Sequence, residues 1–342
     1  MNINIEERMS FYNVLGLSMA QIENGTINVT TNYGLLEANT NRFVDNQSVF
    51  NACSISKFLT GILALKLVQE GMLNLDEDVN DQLISWKIPM NPFTVHKKVT
   101  LRNLLSHQSG IQDPENSFME LSNLNKYPSM VEILSGNTFY CNTPIQVSLE
   151  PVNEFHYSDA GYCIIEQLIA DVTSKPFHDV MLEQVLEPLQ MKNSFLDTSL
   201  LFSNLDNVAA GHHKHGAIVE GKYPIYPYPA ACGLWTTAID LAKLSIELMN
   251  SLKGESKLGL SKRLAEEIIR MQGGKRWTGL SVFLEGTEMN KEVFSFGWGK
   301  GFQSMVVMFP SIHKGAVIMT NSDLGVHQME GLIGEIYKSL DY

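Results

Sequence analysis

The chain has 342 residues, 44% of them hydrophobic and 18% charged, with a formal net charge of -12. This much apolar material builds a sizeable core and excludes a disordered chain. An acidic balance without a basic cluster excludes nucleic acid and anionic membrane surfaces as partners, and no apolar run is long enough to span a bilayer.

The opening Met1-Asn2-Ile3-Asn4-Ile5-Glu6-Glu7 carries neither the basic nor the apolar region of a secretory signal. A cytoplasmic location is therefore expected, with a trimmed secreted form as the alternative. Leu15 to Ile22 is apolar, Glu23-Asn24-Gly25 is a turn and Thr26 to Thr31 is rich in β-formers, which predicts an N-terminal hairpin. Phe58, Leu59, Ile62, Leu63, Leu67 and Val68 recur at helical spacing and predict a deeply buried helix that starts near Ser54 and ends near Gly71. From about 72 to 232 the pattern is mostly helical with loops, including a helix from Ala160 to Val172 and another from Phe177 after Pro176. Thr237-Ala238-Ile239-Asp240 starts a helix that reaches Met249. Strands are predicted from Leu280 to Leu284, Ser304 to Phe309 and Ala316 to Thr320, and Val326, Met329, Ile333, Ile336 and Leu340 predict a terminal amphipathic helix.

Strands at both ends with helices between them predict an α/β fold of the α+β type: one antiparallel sheet built from both termini, flanked by helices, with an inserted, mostly α-helical lobe. A single domain is expected, its α/β lobe covering about 1–70 and 234–342 and its helical lobe about 71–233. Ser54 then lies at the seam between lobes, where clefts form. The four cysteines, Cys53, Cys141, Cys163 and Cys232, lack metal-type spacing and read as free buried thiols of a reducing compartment.

The chemistry begins at Ser54-Ile55-Ser56-Lys57. Positions i and i+3 share a helix face, so the Lys57 amine can reach the Ser54 hydroxyl as its base or proton shuttle. The helix N-terminus favours negative charge developing on the serine. Alone, the same pattern describes a capping serine and a solvated lysine. Tyr157-Ser158-Asp159 stands just before the predicted Ala160 helix. A tyrosine hydroxyl serves as general base or acid when a cation lowers its pKa, and Lys57 is the available cation; the plain alternative is a core tyrosine at a helix start.

Together these segments resemble the serine β-lactamase and penicillin-binding-protein superfamily, most closely the class C β-lactamases and family VIII carboxylesterases. The resemblance covers nearly the whole chain. It rests on Asn51 to Thr60 (the nucleophile helix), Gly71 to Val79, Thr100 to Ile111, Phe155 to Tyr162 (the second motif) and Gly233 to Ala242. It implies a serine hydrolase with Ser54 as the acylated nucleophile, Lys57 assisting its deprotonation and Tyr157 as the general base that returns its proton to the leaving group; which of the two takes the first proton differs among accounts of the superfamily. It further implies an oxyanion held between the Ser54 N–H and an N–H of an edge strand, and no cofactor.

Two positions depart from the pattern. The family's third motif is Lys or His, then a small residue, then Gly. Anchored on the following strand and Pro310, Trp298-Gly299-Lys300 falls there and resembles the Trp-Gly-Gly variant of some family VIII esterases. Gly301 N–H is then the second oxyanion donor, Trp298 a cleft wall, and the motif's cation is lost unless Lys300, on the strand face of Trp298, supplies it; a solvated or lobe-bridging Lys300 is the alternative. Asp159 occupies a position that is usually Asn. A carboxylate pairs with Lys57 but cannot donate to a substrate oxygen. Both departures favour a neutral ester or small acyl substrate, with weak β-lactam or D,D-peptide hydrolysis as a side activity. The expected partner is a small-molecule ester, amide or β-lactam. The rival class is a non-catalytic sensor or binding protein on the same fold.

Gly211 to Gly216, with His212, His213 and His215, reads as a hairpin with exposed histidines rather than a metal site. His107 reads as a structural histidine. Tyr223 to Pro229 is extended by its prolines and either lines the cleft or packs as a surface loop.

Overall fold

Asn24 and Gly25 both sit at positive φ, 51° and 70°, the left-handed pair that a two-residue hairpin turn demands. They join β1 (Gly16–Glu23) to β2 (Thr26–Gly34), the predicted hairpin. The computed structural model describes residues 3–121, 127–152, 154–199 and 205–340. Its C-terminal part adds β3 (Phe283–Gly286), β4 (Lys291–Gly299), β5 (Phe302–Phe309) and β6 (Lys314–Thr320). The six form one antiparallel sheet in the order β2-β1-β6-β5-β4-β3. The two ends of the chain meet where β1 pairs with β6, Leu17 opposite Thr320 and Ile22 opposite Gly315. The expected fold class is the observed one. β4 was not among the expected strands: its charged start, Lys291-Glu292, and its two glycines, Gly297 and Gly299, lower β propensity.

Alternation along the strands divides the core in two. Leu17, Met19, Phe294, Met305, Val307 and Ile318 pack on one side with Ile5 and Met9 of α1 (Ile5–Tyr12) and with Ile333 and Ile336 of the terminal helix (Leu332–Lys338). That last helix is shorter than expected because a 3-10 turn over Gln328–Glu330 and then Gly331 precede it. Ala20, Ile22, Val306, Met308, Val317 and Met319 join the larger cluster on the other side. That cluster takes in α2 (Ser56–Gln69), α3 (Asp159–Thr173) and α4 (Ala238–Lys253). Eleven of the fourteen residues of α2 are buried, so a polar group on it must find its partners inside the protein. Among the described residues no helix is long and apolar enough to cross a membrane.

His212 corrects an expectation. It is fully buried, its Nδ1 2.9 Å from the Asn321 carbonyl and its Nε2 accepting the Ala38 N–H at 3.2 Å. It ties the N-terminal loop to the end of β6 instead of facing solvent, while His213 is exposed.

Candidate active site

The turn into α2 is fixed before Ser54 is reached. Cys53 has φ 48°, a left-handed conformation that costs energy for a residue with a Cβ. Its N–H donates to Asn51 Oδ1 at 2.7 Å, and Ser56 Oγ donates to its carbonyl at 2.6 Å. Leu234 N–H in turn donates to Ser56 Oγ at 2.9 Å. Ser54 therefore sits in a pinned 3-10 turn, Cys53–Ile55, at the head of α2. Its N–H belongs to the first turn, where no helical carbonyl is available to it.

Lys57 is 2% exposed. Its Nζ donates to Ser54 Oγ at 3.1 Å and to the Ala231 carbonyl at 3.0 Å, and lies 2.6 Å from Asp159 Oδ1. Burial works against the ammonium, but the Asp159 carboxylate outweighs it and holds the pKa of Lys57 well above that of a free lysine. Lys57 is a cation whose three protons all have acceptors.

Tyr157 lines the same recess as Ser54. Lys57 Nζ lies 4.8 Å from the centre of its ring, and the His107 ring stacks on it at 4.3 Å. Burial pushes the phenol up, against the pull of Lys57; the 42% of the residue that stays open to solvent limits that push. At rest Tyr157 carries its proton. His107 is pushed well below the usual histidine range, by burial and then by Lys57, and is neutral. Its Nδ1 accepts the Ser158 N–H at 3.1 Å, so the ring props the second motif from behind. Ser54, Lys57, His107, Tyr157, Ser295 and Phe296 line one narrow recess.

Two residues that sequence reasoning passed over complete the centre. Cys232 Sγ lies 3.6 Å from Ser54 Oγ and 3.9 Å from Lys57 Nζ. Burial pushes its thiol up to about 12, so it is a neutral neighbour and not a rival nucleophile. Asp113 accepts from Ser158 Oγ at 2.8 Å, Asp159 N–H at 2.9 Å and Ala160 N–H at 3.0 Å. It caps the start of α3 and so aims Tyr157 and Asp159. Neither had a local signal, because each acts across a long sequence gap. Asp113→Ala leaves those donors unpaired and is expected to lower stability by roughly 1–3 kcal/mol. It should slow turnover as well, and urea unfolding with a parallel rate assay measures both.

The third-motif expectations need correction. β4 ends at Gly299, so Lys300 lies in the hairpin turn and not on the strand face of Trp298. Its Nζ is held by Glu120 Oε1 at 2.6 Å, the lobe-bridging alternative. The Trp298 side chain donates from Nε1 to Asp323 Oδ1 at 2.8 Å; strand alternation puts it on the face opposite Gly297, so it is no wall of the Ser54 recess. Gly301, at φ 79°, packs against Gly211 and His212: a Cβ there would lie 2.6 Å from Gly211 Cα. What approaches the Ser54 turn is Gly297, where a Cβ would fall 2.1 Å from the Ala52 carbonyl oxygen, and Gly299, where it would fall 2.8 Å from Cys53 Sγ.

The strand edge explains why. β3 pairs with β4 only from Lys291 to Phe294, so the outer edge of β4 is unpaired beyond that point. Gly299 and Phe302 close the two-residue turn. Alternation then directs the N–H groups of Ser295, Gly297 and Gly299 towards β5 and those of Phe296 and Trp298 to the open edge.

The family model described as Beta-lactamase matches residues 2–336. The chain belongs to the Beta-lactamase family. It is 24% identical over 332 residues to Protein flp of Staphylococcus aureus (strain MW2), covering 93% of this chain and 61% of that protein. The chain thus spans about three fifths of that relative's length. It is 21% identical over 231 residues to the teichoic acid D-alanine hydrolase of Staphylococcus aureus (strain MRSA252), covering 68% of this chain and 53% of that one. The D-amino acid amidase of Ochrobactrum anthropi SV3, solved with D-phenylalanine, superposes with a TM-score of 0.76 at 22% identity, covering 98% of this chain and 97% of that one.

Proposed function

We propose that this chain is a serine hydrolase that works through an acyl-enzyme on Ser54. We further propose that its substrates are small esters or amides whose acyl part needs no carboxylate anchor, aminoacyl esters and amides among them. The observation that carries the reading is the placing of Lys57 Nζ 3.1 Å from Ser54 Oγ, with Tyr157 lining the same recess.

With Lys57 charged and Tyr157 protonated, neither is a free base at rest. A phenol hydroxyl both accepts and donates. Tyr157 takes the Ser54 proton as it hands its own to the leaving oxygen or nitrogen, and the fixed ammonium of Lys57 steadies the negative charge passing between the two oxygens. Water then repeats the exchange in reverse and frees Ser54. The oxyanion is assigned to the Ser54 N–H and, in place of Gly301, to the Trp298 N–H on the open edge of β4.

Substrate choice follows from the corrected register. Ser295, 4% exposed and lining the recess, takes the third-motif position that the resemblance gives to a cation. Asp159 occupies Lys57. Among the described residues no cationic side chain is then left over in the recess to bind a carboxylate. The names of the D-amino acid amidase and the D-alanine hydrolase support the same class.

Turnover of p-nitrophenyl acetate and of an aminoacyl p-nitroanilide, against a matched substrate ending in a carboxylate, tests the reading. Preference for the carboxylate substrate would contradict it. Ser295→Lys is expected to lower KM for the carboxylate substrate about 10-fold or more, the worth of one charge-assisted hydrogen bond, with KM for the neutral ester unchanged. An equal change for both substrates would show that Ser295 does not face the bound acyl group.

A further inference from the structure

The short turn Pro229–Cys232 has two sides. One holds the catalytic lysine, through the Ala231 carbonyl. The other closes a second cavity of about 510 Å³, inside the range of small-molecule sites. Its walls are largely apolar, with Leu121, Met130, Phe177, Leu196 and Ile225 among them. Among the described residues no lysine or arginine lines it.

Glu166, from the middle of α3, is the buried charge-bearing group in this wall. It is 8% exposed and uses one oxygen only: Oε2 accepts the Ala230 N–H at 3.0 Å. Oε1 takes no hydrogen bond from any described residue. Burial holds this carboxyl up to about 8, as expected of an acid with half its acceptor capacity unused in an apolar wall. Among the described residues, the other ionisable groups around the cavity are Tyr127, whose hydroxyl is committed to the Tyr226 carbonyl at 3.2 Å, and Asp197 and His178.

We propose that this cavity binds a small organic cation with an apolar body, an alkyl- or arylalkylammonium, whose ammonium pairs with Glu166. The charge suits the carboxylates of Glu166 and Asp197, and the apolar body suits the walls. Occupancy is coupled to the active centre through a single turn. Glu166 holds the Ala230 N–H, Thr60 Oγ1 donates to the Ala230 carbonyl at 2.8 Å, Lys57 holds the Ala231 carbonyl, and Cys232 lies against Ser54. A cation that draws Glu166 away from Ala230 loosens the seat of Lys57. The site lies apart from the proposed hydrolysis, and its test does not depend on it.

The probe is phenethylammonium, with 2-phenylethanol as its neutral counterpart, in isothermal titration at neutral pH in two buffers of different ionisation enthalpy. The expected result is binding of the amine at least 10-fold tighter than the alcohol, with net proton release as Glu166 ionises to meet it. Glu166→Gln is expected to erase the preference and the proton release. Leu196→Trp, which adds bulk to the cavity wall and leaves the carboxyl intact, is expected to block the amine; it decides the matter if the glutamine variant does not fold. Equal binding of amine and alcohol, no binding of the amine at millimolar concentration, or undiminished binding in Leu196→Trp would each overturn the proposal.

Discussion

Tyr157→Phe is expected to lower the acylation rate of an activated ester by about 10²–10⁴-fold, the usual worth of a positioned proton-transfer group, with little change in KM. The substitution removes one oxygen and keeps the ring that stacks on His107 and lies over Lys57 Nζ. The scaffold should persist while the proton path is cut. Lys57 cannot take over, because Asp159 at 2.6 Å keeps it charged. Pre-steady-state bursts of p-nitrophenol from the wild type and the variant measure the step. A loss smaller than about tenfold would mean that the Ser54 proton leaves by another route, and the shuttle assigned to Tyr157 would be wrong.

Gly297→Ala is expected to damage stability and acylation together. The added Cβ would fall 2.1 Å from the Ala52 carbonyl oxygen and 2.3 Å from Ser304 Oγ. The contact is with the backbone of Ala52, two residues before Ser54, which cannot give way cheaply, so β4 must move off the turn that presents Ser54. Overpacking of this kind costs about 1–3 kcal/mol. The same shift withdraws the edge N–H of Trp298 from the oxyanion and should lower the rate by at least the 10²-fold typical of one lost donor. Gly299→Ala is the control. Its Cβ meets side chains and no backbone, Tyr226 Oη at 2.7 Å and Cys53 Sγ at 2.8 Å, so the smaller loss is expected. Thermal unfolding and acylation rates of both variants separate the cases. Wild-type values for Gly297→Ala would mean that β4 is not pressed on the nucleophile turn.

Much of this molecule is legible in its sequence, because the informative groups are local. A serine and a lysine three residues apart on a helix must meet, and Asn24-Gly25 must turn. The antiparallel sheet follows from strands at both ends. What was not legible depends on register and on distant pairing. The stretch from Phe296 to Ser304 allows the third motif to slide along it, and only the pairing of β4 with β5 fixes Ser295 in the Ser54 recess and Gly297 against Ala52. Lys300 lost its expected place because the strand ends one residue before it. Asp113 and Cys232 reach the centre from 46 and 178 residues away in the chain, the separations of their contacts with Asp159 and Ser54. His212 reads as a polar turn residue, yet two backbone partners make its burial affordable.

The most direct test is intact-protein mass spectrometry after brief incubation with an activated small-acyl ester or a fluorophosphonate, followed by peptide mapping. The predicted result is a single adduct on Ser54, absent in Ser54→Ala and slow to form in Tyr157→Phe. An unmodified Ser54 in folded protein, or an adduct carried by Cys232, would contradict the account.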